Sequence, residues 1–209
     1  MSDKKYFLKG EIGRQLIHIL TGFIFLFIIF LSGSYAALVF TILLVAVIFT
    51  SFLFQEFPVP KKAPDIFRRL GRPFKQTVKL QGTILLIFGV LTILLLFPRD
   101  IVYASVAIVT FGDSIATIVG VSIGKHNLPY SENKTLEGTL SGIAFALGAA
   151  LLFVTPLQAF LGSVGGMLVE STIDLHTVRK ASLKALSEFF LNDNFLIPVF
   201  SSLLMFAVR

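Results

Sequence analysis

The stretch GDSIATIVGVSIGKHNLPYSENKTLEG, residues 112–138, sets the carboxylate of Asp113 inside an apolar run and places two lysines, Lys125 and Lys134, just after it. Thr135, Glu137 and Gly138 follow where a second apolar run begins. If that run is a helix, its first amides and its dipole favour an anion. Ammonium groups, a hydroxyl and a helix start facing a carboxylate are the parts of a phosphate–metal site. The chemistry indicated is binding of a polyphosphate together with a divalent cation. The loop is not a Walker A motif, which needs four residues between its glycines and a Ser or Thr after its lysine. Here three residues separate Gly120 from Gly124, His126 follows Lys125, and no strand precedes them.

Further polar groups recur at helical spacing. Glu11, Arg14 and His18 share a face, Glu170 and Asp174 form an i,i+4 pair, and Asp193 with Asn194 opens the last apolar run. Gly112, Ala116, Gly120 and Gly124 recur every four residues, as do Gly138, Gly142 and Ala146. Each feature has a plainer reading. The small residues let helices approach closely, His18 is a packed or capping residue, and Asp113 pairs with a neighbouring lysine. Other chemistries fit worse. The chain has no Cys, so thiolate ligands and disulfides are excluded. His18, His126 and His176 lack metal-ligand spacing, and no serine sits in a G-x-S-x-G elbow.

The elements that must position these groups follow from composition. The 209 residues are 55% hydrophobic and 14% charged, with mean hydropathy +0.87. A soluble domain carries about 25% charged residues, so the chain reads as an integral membrane protein. Apolar segments cover residues 14–31, 35–54, 81–97, 101–121, 136–154, 157–173 and 195–208. The expected fold is all-α, a polytopic transmembrane helix bundle of about seven spans, with residues 1–209 forming one catalytic domain. Pro198 marks a kink or helix start in the last segment. The first segment is too long for a signal-peptide core and is followed by another span.

Seven spans put every Lys and Arg except Arg99 and Arg209 on one side, which predicts a cytoplasmic N-terminus. The net charge of +6 therefore reports topology, and nucleic acid is not an expected partner. Residues 63–79 carry Phe67, Leu70, Phe74 and Val78 between basic residues, the pattern of an interfacial amphipathic helix or of a loop that fixes orientation. By this map Glu11, Arg14, His18, Asp113, Glu170, Asp174, Asp193 and Asn194 all face the cytoplasmic compartment. Asp113 alone lies deep, about 15 Å in if helical, at a cost of roughly 3 kcal/mol unless solvated or paired.

The pattern G-D-x-x-A-x-x-x-G-x-x-x-G-[KR], a short loop, then K-[ST]-x-E-G-[ST] resembles the membrane-embedded CTP-dependent lipid kinases, namely dolichol kinase, phytol kinase and fungal CTP-dependent diacylglycerol kinase. This chain meets it at Gly112, Asp113, Ala116, Gly120, Gly124, Lys125, Lys134, Thr135, Glu137, Gly138 and Thr139. The opening E-x-x-R-x-x-x-H, Glu170 and the run DNFLIP are similar to the family's end motifs, although Asn192-Asp193-Asn194 stands where the family commonly has Asp-Asp-Asn. The resemblance implies phosphorylation of a membrane lipid alcohol (dolichol, another polyprenol, an isoprenoid alcohol or diacylglycerol) at the cytoplasmic face, with CTP as donor and Mg²⁺ as cofactor. It implies Asp113 and Lys134 as catalytic residues and Asp113, Glu170 and Asp193 as metal ligands. Lys125, Lys134, Thr135, Glu137, Gly138, Asn194, Arg14 and His18 would bind the nucleotide, and a homo-oligomer is compatible with all of this. The related CDP-diglyceride synthetases carry a longer C-terminal block with an H-G-G element that is missing here, which favours a kinase over a cytidylyltransferase. An ion-coupled transporter would show repeated halves and polar residues on both sides, and neither is visible.

Overall fold

The computed structural model describes residues 2–56, 81–131, 133–172 and 192–209. The amphipathic segment 63–79, Asp174 and His176 lie outside the described residues. Long runs of Leu, Ile, Val and Phe offer their backbone no outside partner, so the amides bond within the segment and helices result. Helix α1 spans Ser2–Ser32 and α2 spans Ala36–Glu56, joined by a 3₁₀ turn at Gly33–Tyr35. Gly33 adopts φ +51°, a left-handed conformation that costs glycine little. The turn folds the pair into a hairpin, since Phe25 and Phe40 meet edge-to-face at 5.1 Å.

Helix α3 spans Gln81–Leu96, and extended Pro98 separates it from α4, Arg99–Ala107. A π-helical turn, Ile108–Asp113, joins α4 to α5, Ser114–Ile123, making one continuous rod. A loop tied by a single antiparallel bridge, Asn127 to Thr135, leads into α6, Leu136–Ala150. Helices α7, Pro156–Thr172, and α8, Asp193–Ala207, complete the described elements. Pro198 lies buried inside α8 rather than at its start. No strand forms among the described residues, so the expected all-α class stands.

Two helical stretches, Gly10–Leu53 and Arg99–Ile123, are long and apolar enough to cross a membrane, whereas α3, α6 and α8 are apolar but shorter. The expected seven spans are thus not all full length. The 15 residues of α6 rise about 22 Å, short of a hydrocarbon core of about 30 Å. On α1 and α2 large side chains such as Phe27, Phe30, Leu38 and Phe49 are exposed, a surface suited to lipid rather than water.

Small residues set the inner packing. A Cβ on Gly138 would stand 2.6 Å from the Ala116 carbonyl, and one on Gly142 would stand 2.6 Å from Met167 and 2.8 Å from Ala116. Hydroxyls and amides bind the bundle where α8 meets its neighbours. Ser105 and Ser202 share a hydrogen bond of 2.7 Å, Ser201 donates to the Gly162 carbonyl at 2.9 Å, and Gln158 donates to the Met205 carbonyl at 3.2 Å. The far end is closed by Arg99 donating to the Gly33 carbonyl and by an Arg209–Asp100 pair at 3.6 Å. The two basic residues that sequence sorting set apart therefore sit together, away from Lys125 and Lys134.

Two outcomes follow from this architecture. Gly142→Ala forces Met167 or Ala116 aside and should lower the melting temperature in detergent, by about 1–3 kcal/mol of overpacking. Gly148, with nothing near its virtual Cβ, should accept Ala with unchanged or slightly raised stability; equal effects at both positions would refute the packing account. For orientation, Ser131 is a poor labelling position because it is buried and its hydroxyl accepts from the Asn133 and Lys134 amides. Single cysteines at exposed Lys125 and exposed Leu152 should react with impermeant maleimide from the cytoplasmic and the opposite side respectively. The reverse pattern would invert the topology.

Candidate functional site

The polar residues converge on a cavity of about 140 Å³ at the loop end of the bundle. Arg14 contributes from α1, Asp113, Thr117, Gly120 and Val121 from the rod, Asn133 to Thr135 from the loop, Gly138 and Thr139 from α6, Glu170 from α7 and Asp193 from α8. Asp113, Lys134, Thr135, Gly138, Glu170, Asp193 and Arg14 are thus brought together. Lys125, Glu137, Asn194 and His18 are not among the lining residues.

Asp113 is positioned by the π turn that it ends. Such a turn holds one residue more than an α-helical turn, so side chains beyond it are rotated relative to an unbroken helix. Asp113 is 7% exposed and Glu170 only 1%. The plainer reading of Asp113, a pair with a neighbouring lysine, is not met among the described residues, where Lys134 Nζ donates to Glu170 Oε1 on α7 instead. Burial works against the Lys134 ammonium, but Glu170, Asp113 and Asp193 outweigh it and hold Lys134 above its ordinary value. Lys134 is a fixed positive charge.

The carboxylates outnumber their partners. Glu170 Oε2 is buried without a hydrogen bond, and Arg14 is engaged by Glu11, whose Oε1 accepts from its guanidinium at 2.6 and 3.1 Å. Gln15, buried beside them, donates to the same oxygen at 3.3 Å. Among the described residues no three acidic or imidazole groups stand close enough to hold a metal ion by themselves. The expected triad of Asp113, Glu170 and Asp193 is therefore not preformed, because Lys134 draws Glu170 to itself. The set still fits Mg²⁺, which is commonly held by one or two carboxylates with phosphate oxygens and waters completing its octahedron.

The start of α6 is more committed than its sequence suggests. Thr135 caps the helix, its hydroxyl oxygen accepting from Gly138 N at 3.2 Å, and the Leu136 amide donates to the His126 carbonyl at 2.8 Å. Two of the first amides are thus already used, leaving the helix dipole as the main attraction for an anion. The Thr135 side chain rests on Gly120 and Gly124, where any Cβ would crowd it. Glu137 faces the loop instead of the cavity. Its Oε2 accepts from the Lys125 and His126 amides at 3.3 Å each, and its Oε1 meets His126 Nδ1 at 2.6 Å. Lys125 is exposed beside this clamp. Tyr130 fixes the loop from the other side through Ser171 Oγ at 3.0 Å.

At α8, Asn192 is the cap, its side chain accepting from the Asn194 amide at 3.1 Å. Asn and Asp cap about equally well, so the departure from Asp-Asp-Asn leaves this local role intact. The Asn194 amide nitrogen lies against Gly82 at the start of α3, 3.3 Å from its virtual Cβ. His18 sits half-buried on α1, one helical turn from Arg14. Sequence reasoning missed Thr117 and Asn133 as lining residues. Thr117 stands one helical turn from Asp113, which spacing could have flagged; Asn133 lies in the loop before Lys134, where no periodicity marks it.

No family model and no solved structure matches the chain. Along its length the chain is similar to CTP-dependent diacylglycerol kinase 1 of Schizosaccharomyces pombe, 27% identical over 210 residues, covering 96% of this chain and 94% of that protein. That full-length similarity supports assigning the chain to the CTP-dependent lipid kinase family, which the motif at residues 112–139 already resembles.

Proposed function

We propose that this protein is a membrane-embedded, CTP-dependent kinase that phosphorylates the hydroxyl of a lipid alcohol at the cytoplasmic face. The observation that carries the reading is the convergence of Asp113, the Lys134–Glu170 pair, Asp193 and Arg14 on one cavity in an otherwise apolar bundle. The similarity to a named CTP-dependent diacylglycerol kinase supplies the nucleotide and makes diacylglycerol the first alcohol to test, with dolichol and other isoprenoid alcohols next.

At about 140 Å³ the cavity is smaller than sites that enclose a whole ligand of drug size, roughly 300–1,000 Å³. It suits the terminal phosphates and the attacking hydroxyl, with cytidine lying over the loop near Lys125. Phosphoryl transfer depends on alignment and charge neutralisation more than on covalent chemistry. Lys134, held by Glu170, draws the γ-phosphate inward, and Arg14 reaches it from α1. The alcohol oxygen attacks phosphorus, the bond to the β-phosphate bridging oxygen breaks, and CDP leaves. Asp113 accepts the hydroxyl proton or turns its carboxylate to Mg²⁺. Asp113 and Asp193, with the spare oxygen of Glu170, are the groups that would hold Mg²⁺. Bound there, Mg²⁺ would neutralise phosphate charge.

The test is incubation of purified protein with Mg²⁺, labelled CTP and a panel of lipid alcohols. Label from the γ position should enter a lipid monophosphate with release of CDP. Label from the α position entering lipid, with release of pyrophosphate, would establish a cytidylyltransferase instead.

Two substitutions separate chemistry from scaffolding. Among the described residues the Asp113 carboxylate forms no ion pair with a lysine, so Asp113→Asn should lower turnover about a hundredfold or more while the melting temperature holds. Lys134→Met strands Glu170 in a dry site and should cost about 3–5 kcal/mol of stability, visible as a lowered melting temperature. Near-normal turnover in a destabilised Asp113→Asn protein would make Asp113 structural and remove it from the reaction.

A further inference from the structure

Helix α1 crosses the rod in contact with it at Gly22, where a Cβ would overlap the Thr110 side chain. Phe23 seals the same level by packing edge-to-face on Phe111 at 5.4 Å. One turn nearer the loop end, His18 is half-buried and its ring Nε2 is enclosed with no hydrogen-bond partner among the described residues. A buried polar atom left unmatched is costly, and a ligand atom that matched it would gain that cost back. Asp113 lies within electrostatic reach of this ring, and Arg14, one turn further out, lines the cavity.

The seams among α6, the rod and α7, and between α7 and α8, are closely packed. Gly138 and Gly142 bring α6 onto Ala116, Met167 fills the space between Gly112 and Gly142, and Gly162, Gly165 and Gly166 receive side chains of α8. The seam beside α1 differs from these in carrying an enclosed, unmatched polar atom at His18. The outer face of α1 is already apolar there, with Leu16, Ile17 and Leu20 exposed.

We propose that the seam between α1 and the rod, above the Gly22–Thr110 contact, is the subsite for the acceptor alcohol, with its hydroxyl held between His18 Nε2 and the Asp113 carboxylate. The inference rests on the lipid kinase reading and specifies its acceptor side. The hydroxyl donates its proton toward Asp113 and accepts from an Nε2–H of His18, which leaves a lone pair on oxygen free to face phosphorus. The tail leaves along the apolar face of α1, above the floor made by Phe23 and Phe111. His18 is then an acceptor-binding residue rather than a nucleotide-binding one.

The experiment uses the full chain in lipid nanodiscs with a diacylglycerol carrying a diazirine in one acyl chain, and with the 3-O-methyl ether of the same probe. The alcohol should label peptides from α1 and the rod, and the ether should label them much less. His18→Ala should lower that labelling, and His18→Gln, which keeps a donor near the same place, should retain it. In turnover assays His18→Ala should raise KM for diacylglycerol about tenfold, as expected for one lost hydrogen bond to a buried partner, with KM for CTP unchanged. Labelling centred on α7 or α8, equal labelling by alcohol and ether, or a rise in KM for CTP alone would overturn the subsite. Absence of turnover in wild-type protein would sink the kinase reading, while the contrast between alcohol and ether would still report on the subsite.

Discussion

A glutamate that is 1% exposed in an apolar bundle needs a counter-charge, and here Lys134 supplies it. Removing either partner would leave a buried charge uncompensated, which is why such pairs are strongly constrained once formed. The pair reaches from the loop before α6 to the end of α7, so it fixes a flexible kind of segment against a rigid one. With Lys134 anchored, the loop runs along one line. Ser131 accepts from its amide, Thr135 caps the helix that follows, and Glu137 turns back to grip Lys125 and His126. The cavity is the space left between this clamped loop and the rod.

Small residues make that geometry reachable. Thr135 can rest on Gly120 and Gly124 because neither carries a side chain, and α6 can lie on Ala116 because Gly138 and Gly142 make room. Larger residues would move the helix start outward and carry Lys134 away from Glu170. The plain packing reading of the glycines and the functional reading of the lysine are therefore one statement. Close helix approach is what allows a loop cation to meet a carboxylate on a neighbouring helix.

Much of this was legible in the sequence, and the rest was hidden for physical reasons. The apolar runs marked most helix ends to within a few residues, because lipid-like environments leave the backbone no alternative. The first helix, however, begins at Ser2, twelve residues before its apolar run. The depth of Asp113 and the positions of Lys134 and Thr135 marked the site, because such groups are costly where they stand. Partner choice was not legible. Lys134 and Glu170 are separated by 36 residues, and nothing local says that Lys134 selects Glu170 over Asp113. The π turn was also invisible, since Ile108 to Asp113 reads as ordinary helix. Glu137 carried the right chemistry at the right spacing, yet its side chain was claimed by the loop. A motif names residue types, and the competing hydrogen bonds decide which way each one faces.

Charge balance explains why the site is suited to an anion accompanied by a cation. Asp113, Glu170 and Asp193 line the cavity against Lys134 and Arg14, and Arg14 already shares its charge with Glu11. Counted over the described residues, three carboxylates face two cations there, so a triphosphate entering alone would meet no surplus of positive charge among them. A divalent cation entering alone would find no closed set of ligands among the described residues. Together they satisfy each other, since phosphate oxygens complete the metal's shell and the metal offsets the phosphates. A site of this composition favours the paired ligand over either component, which is the selectivity that a nucleotide-dependent kinase requires.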